Sequence, residues 1–184
     1  MMLAYRGGEG AAFEALYARW RGPLYRYFLR QCGHAGQADE LFQDVFMRVI
    51  GAAAGYEPTA KFSTWLFRIA RNRLVDHWRK IGREPVDPLE AGGDGEDGDD
   101  GEFDPPAPAL EAPERRAEQK QLGAALLAAL AELPEVQREA FLLAEEGGLT
   151  LEEIASVAGV GRETVKSRLR YATAKLRSRL ESWR

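Results

Sequence analysis

Apolar residues in this chain recur at helical spacing, and nowhere do they alternate as a half-buried strand would. Phe13, Leu16, Tyr17, Trp20, Leu24, Tyr27 and Phe28 form a first stripe, in which Gly22-Pro23 predicts a kink or break. A second stripe runs through Leu41, Phe42, Val45, Phe46, Val49 and Ile50, after a loop over Gly33 to Gln37. The third is Phe62, Trp65, Leu66, Ile69, Ala70, Leu74 and Trp78, for which Ser63 or Thr64 is the expected N-cap. Three amphipathic helices of this kind bury their stripes against one another, so the N-terminal half reads as a helical bundle whose aromatics are core residues by default.

The second half repeats the logic with shorter pieces. Leu122, Leu126, Ala129, Leu130 and Leu133 mark one helix. Pro134 suits the first turn of the next, which carries Val136, Phe141 and Leu142 and stops at Gly147-Gly148. Thr150 and Glu153 have the spacing of a capping box, opening a short helix with Leu151, Ile154, Ala155 and Ala158 on one side. Gly159-Val160-Gly161 is a turn, and the final helix buries Val165, Leu169, Ala172 and Leu176. The expected fold is all-α: two small helical domains, over 9–84 and 114–184, joined by the segment 85–113.

That joining segment is dense in Gly, Pro and Asp, which predicts a flexible strap rather than a packed element. Its acids invite a calcium-loop reading, but neither Gly98 nor Gly101 has acids at the first, third and fifth positions of the required register. Charge then changes the picture. The net formal charge of -4 hides a strongly divided chain, because Pro85 to Ala112 holds ten acids and no base. Lys61 to Arg83 has seven Lys or Arg against one acid, and Arg162 to Arg184 has eight against two. Each basic stretch lies on a helix, which is the electrostatic footprint of a nucleic-acid surface.

Other chemistry is sparse. A single cysteine and two distant histidines, His34 and His77, offer no disulfide and no zinc spacing, so neither a metal nor another cofactor is expected. No apolar run approaches the ~18 residues a membrane span needs, and Met1 to Gly10 lacks the apolar core of a secretory signal. A cytoplasmic location is the expectation. No Ser/His/Asp or Cys/His set is present, and the acids concentrate in the strap instead of around a metal, so an enzyme is not expected.

A capped short helix, a Gly-containing turn and a basic second helix describe a helix-turn-helix. The apolar spacing of the second helix leaves Arg162, Glu163, Lys166, Ser167 and Arg170 on the opposite face, with Tyr171 at its margin. Arg and Lys donate to guanine O6 and N7, Glu accepts from cytosine N4, and Ser bonds a phosphate or base edge. A single basic helix is by default only a solvated face; the preceding capped helix and the turn favour DNA. The third N-terminal helix adds Arg68, Arg71, Asn72, Arg73, Arg79 and Lys80, interleaved with Trp65, Phe67 and Trp78, a set suited to phosphate contact and to stacking on unpaired bases.

Three segments together resemble bacterial sigma-70-type transcription initiation factors: DELFQDVFMRV (Asp39 to Val49), FSTWLFRIARN (Phe62 to Asn72) and LTLEEIASVAGVGRETVKSRL (Leu149 to Leu169). The compact two-domain plan resembles the extracytoplasmic-function group. The resemblance implies that Asp39, Glu40, Gln43, Asp44, Met47 and Arg48 dock on the clamp helices of the largest subunit of core RNA polymerase. All but Asp39 also lie off the apolar stripe. It implies that the loop Glu57 to Lys61 and the helix after it open the minus-ten element and capture an unstacked base, through Lys61, Trp65, Arg68, Arg71, Asn72, Arg79 and Lys80. Asn72 falls at the base-contacting position. The final helix is implied to read the minus-thirty-five element in promoter DNA, and an anti-sigma factor is an implied partner. Gly161 replaces the Ser common at the N-cap there, a change costing only a few tenths of a kcal/mol. For the acidic strap two readings stay open: an RNA mimic in the polymerase cleft, or a charged spacer. The competing functional reading is a helix-turn-helix repressor or response-regulator output domain, which accounts for the C-terminal half and leaves the N-terminal bundle without a purpose.

Overall fold

The computed structural model describes residues 1–82 and 113–181, with backbone alone over 113–120. The acidic strap of the sequence reading falls almost wholly outside these residues. Eight helices are described: α1 (Met2–Arg6), α2 (Gly10–Cys32), α3 (Ala35–Ala52), α4 (Phe62–Lys80), α5 (Pro113–Ala131), α6 (Glu135–Glu145), α7 (Leu151–Ala158) and α8 (Arg162–Arg179), with a single 3-10 turn at Ala53–Gly55.

Helices α2, α3 and α4 bury the three stripes against one another. Leu24, Phe28, Val45, Val49, Leu66, Ala70 and Leu74 are fully removed from solvent. At about 1.5–3 kcal/mol for each large side chain, this shared core is what holds three otherwise marginal helices in place. Gly33 ends α2 in the left-handed region (φ 71°), its N–H returning to the Leu29 carbonyl. Four details differ from the sequence reading, the first being that α3 begins at Ala35, within the stretch Gly33 to Gln37 expected as a loop. Helix α2 is continuous through Pro23, so of the kink or break expected there the break does not occur. The carbonyl that loses its partner there belongs to exposed Arg19, where water can satisfy it. Helix α4 is capped by Lys61, with Phe62 as its first residue, and Thr64 is buried inside the first turn. Ile50, assigned to the apolar stripe, is 40% exposed.

The C-terminal unit forms as expected around Leu130, Leu142, Ile154, Val165, Ala172 and Leu176, with α6 and α7 both packed on α8. Pro134 stands at the N-cap of α6 rather than inside it. Thr150 and Glu153 make both hydrogen bonds of the capping box, at 3.3 and 2.9 Å. Gly159 (φ 71°) turns the chain into Gly161, the N-cap of α8.

The two units are not separate in this structure. Their buried residues form one continuous cluster, and α6 and α7 lie against α2 and α4. Gly147 sits at the junction: a Cβ there would come within 2.5 Å of Leu149 Cδ1, 2.7 Å of the Leu143 carbonyl oxygen and 3.2 Å of Phe67 Cδ2. Because the carbonyl belongs to backbone, relief requires the chain to shift. Gly147→Ala should therefore lower stability by about 1–3 kcal/mol, read from the denaturant midpoint of the full chain.

Candidate nucleic-acid interface

Helix α8 presents its cations as its apolar phase dictates. Val165, Ala172 and Leu176 are buried, while Arg162, Glu163 and Lys166 are exposed and Ser167, Arg170 and Tyr171 half-exposed beside them. All six share one side of the helix. Arg162 donates from Nε to Glu152 Oε1 at 2.7 Å and from Nη1 to Glu163 Oε1 at 3.2 Å, a chain of charges across the helix-turn-helix turn. The Arg162 hydrogen bond holds the Glu152 carboxyl below its ordinary value. The Arg170 guanidinium lies 5.1 Å over the Tyr171 ring, which stiffens two otherwise mobile side chains. At the far end, Lys175 Nζ donates to the Glu132 carbonyl at 2.7 Å and Arg179 pairs with the Glu132 carboxylate at 2.6 Å, fastening α8 to the turn before α6.

On α4 the candidate residues divide. Asn72, Arg79 and Lys80 are exposed. Trp65 is half-buried and packs edge-on to Tyr56 at 4.9 Å and against Phe62 at 5.6 Å, so most of its surface is already used in an aromatic cluster under the 57–61 loop. Arg6 of α1 donates to the Tyr56 carbonyl at 2.9 Å, steadying the same loop from below. Arg73 pairs with Asp44 of α3, its side chain only 11% exposed; it is a strut between helices.

Lys61, Arg68 and Arg71 face the C-terminal unit. Lys61 Nζ lies 3.2 Å from Glu153, Arg68 Nη2 donates to Ser156 Oγ at 2.8 Å, and Arg71 Nε lies 3.2 Å from Glu139 Oε1. Glu139 is 3% exposed, and burial pushes its carboxyl up from the ordinary value although Arg71 and Arg168 both pull it down. Beside it, Glu146 accepts from Arg26 at 3.0 and 3.1 Å and is also paired with Arg30. Buried Arg138 donates to Gln31 Oε1 at 3.2 Å and to the Ala131 carbonyl at 3.3 Å. None of Arg26, Arg30, Gln31, Arg138, Glu139 or Glu146 stood out in the sequence. The only signal was a charged face on α6, which looks like any solvated helix until its partners on α2 and α4 are known.

Helix α3 carries the third set. Asp39, Glu40, Gln43, Met47 and Arg48 are exposed, and Asp44 is half-buried through its pair with Arg73. Met47, 67% exposed, and Ile50 stand one turn apart and make an apolar spot within this polar face. Among the described residues, no helix is long and apolar enough to cross a membrane.

Comparison with known proteins converges on one family. The model of sigma-70 region 2 matches residues 16–84, and that of sigma-70 region 4 matches residues 123–176. The ECF RNA polymerase sigma factor RpoE of Cereibacter sphaeroides is 33% identical over 94% of this chain and 88% of its own. The RNA polymerase sigma factor CarQ of Myxococcus xanthus is 30% identical over 97% and 95%. Among solved structures, the sigma factor RpoE from Bartonella quintana, in complex with the anti-sigma factor NepR, superposes with a TM-score of 0.66 at 25% identity, covering 94% of this chain and 99% of that one. With both conserved regions present in order and the match running nearly end to end, the chain belongs to the extracytoplasmic-function sigma factors of the sigma-70 family, which direct RNA polymerase to promoters.

Proposed function

We propose that the two helical units divide promoter recognition as the family plan suggests: residues 9–84 dock on core polymerase through α3 and engage the minus-ten element through α4, and residues 114–184 read the minus-thirty-five element through α8. The observation that carries the reading is the phase of α8, whose buried row turns Arg162, Lys166 and Arg170 to one open side, where a helix can enter a major groove. The protein catalyses nothing itself; its work is binding, and it acts in the cytoplasm where polymerase and promoter meet. The Bartonella quintana relative was solved with an anti-sigma factor, and the same class of partner is proposed for this chain.

On α3, Asp39, Glu40, Gln43, Met47 and Arg48 are offered to polymerase, with Ile50 added by the structure. Asp44 has a second duty in holding Arg73, so its replacement would disturb the bundle as well as the surface. On α4, Asn72 is placed to hydrogen-bond a base edge and Arg79 and Lys80 to meet phosphate.

Two outcomes follow. Lys166→Ala or Arg170→Ala should each weaken binding to cognate promoter DNA by about 1–3 kcal/mol, with a folded double variant losing more. Fluorescence anisotropy on a minus-thirty-five duplex checks this, and unchanged binding by the double variant refutes the assignment of α8. Gln43→Lys combined with Met47→Lys should reduce affinity for core polymerase by about tenfold or more, since it replaces the centre of an apolar contact with charge. Retention of the variant on immobilised core at the wild-type level would make that face of α3 an ordinary polar surface.

A further inference from the structure

The loop 57–61 leads into α4 and, on the proposed division of labour, works with it to open the minus-ten element. Its own backbone gives it little support. Thr59 N–H donates to the Glu57 carbonyl at 2.9 Å, and just before the loop Tyr56 N–H reaches the Ala53 carbonyl at 3.3 Å. Glu57, Pro58, Thr59, Ala60 and Lys61 are all exposed. Tyr56 is buried, its ring 4.9 Å from Trp65 and 6.3 Å from Phe62. That packing fixes a ring. The peptide that follows it is held from a distant part of the chain, by Arg6 Nη1 donating to the Tyr56 carbonyl at 2.9 Å across 50 positions of sequence.

Helix α1, which carries Arg6, has five residues and is too short to persist unaided, so its position is set by what it packs on. Met2 is 4% exposed and belongs to the core of the bundle, and the Tyr5 ring lies 4.9 Å from Phe13 of α2. The Gly7 and Gly8 N–H groups return to the Leu3 and Tyr5 carbonyls at 3.0 and 2.9 Å, closing the helix behind Arg6. The guanidinium therefore reaches the loop from a pinned support. A groove lined by Leu3, Leu16, Trp20, Pro58 and Phe62 lies between this part of the bundle and the loop, so side-chain packing alone does not close the loop onto α2.

Opening a duplex costs the stacking of each step, and a loop offsets that cost best when the strand meets a surface already in place. Resting on the role proposed for α4 and its loop, we propose that Arg6 is a positioning residue for promoter opening: α1 braces the 57–61 loop through the Tyr56 carbonyl, so that the loop meets the minus-ten element preformed. Arg6 itself touches no DNA. It acts on the rate of opening through the loop, and neither core docking on α3 nor reading of the minus-thirty-five element by α8 depends on it.

The test uses holoenzyme assembled from core polymerase and the full chain, on the genomic fragment that the wild-type holoenzyme transcribes most strongly. The fragment is supplied as a duplex and, in parallel, with its minus-ten region premelted by mismatches. Arg6→Ala should slow the appearance of permanganate-reactive thymines on the duplex by about threefold to tenfold, while transcript yield from the premelted template and affinity for core stay within about twofold of wild type. Arg6→Lys keeps a cationic donor and should recover most of the rate. In the free chain, amide hydrogen exchange should rise over 57–61 in Arg6→Ala and stay unchanged in α3. Arg6→Met, which keeps the aliphatic stem and drops the donor, stands in should Arg6→Ala fail to fold by circular dichroism. Wild-type opening of the duplex by the folded variant, an equal loss on the premelted template, unchanged exchange in the loop, or a lysine variant no better than alanine would each overturn the brace. Asn72→Ala, run alongside, separates the two ideas. Slow duplex opening by Asn72→Ala with normal opening by Arg6→Ala sinks the brace alone, whereas normal opening by Asn72→Ala sinks the α4 assignment on which it rests.

Discussion

The row Leu66, Ala70, Leu74 and Trp78 anchors α4 in the N-terminal bundle, and the phase of that row decides where every cation on the helix points. A helix has only two faces to offer. Once one is buried, Lys61, Arg68 and Arg71 must leave on the side away from the core, and Arg73, slightly out of phase, must find Asp44 of α3. Much of the remaining structure answers to this constraint. The aromatic cluster of Tyr56, Phe62 and Trp65 sets the loop that enters α4, Arg6 steadies that loop, and α6 and α7 come to rest against the cations that α4 presents.

The helix-turn-helix was legible in the sequence because each of its parts is local. A capping box needs two residues three apart, a left-handed turn needs a glycine, and an amphipathic helix needs only its own periodicity. The three N-terminal helices were legible for the same reason. What escaped was the short-range exception and the long-range pair. Pro23 leaves α2 unbroken where the carbonyl it abandons, that of exposed Arg19, can reach water. Lys61 caps α4 because loop packing, not side-chain preference, fixes where that helix starts. Glu146 with Arg26 and Arg30 joins residues more than 100 positions apart, and no pattern in either helix records the other.

Electrostatics ties the two halves together in a way that net charge conceals. The C-terminal unit combines a basic side on α8 with acids on α6 and α7, so it is a dipolar body rather than a uniformly basic one. Its basic side faces outward and its acidic side meets the other unit. This orientation pairs Lys61 and Arg71 with acids of the C-terminal unit and leaves Lys166 on the outward side of α8, while the chain's excess of acids lies in the 85–112 segment.

Glu153 illustrates what such a contact asks of the fold. Its Oε2 accepts the Thr150 N–H and completes the cap of α7, while its Oε1 faces Lys61 of the other unit. The cap uses a different oxygen from the Lys61 contact, so the first turn of α7 does not depend on Lys61. The same holds for Arg71, which leaves a buried carboxylate behind but no broken backbone hydrogen bond. The contacts between the units are thus made by side chains that hold no helix of the C-terminal unit together.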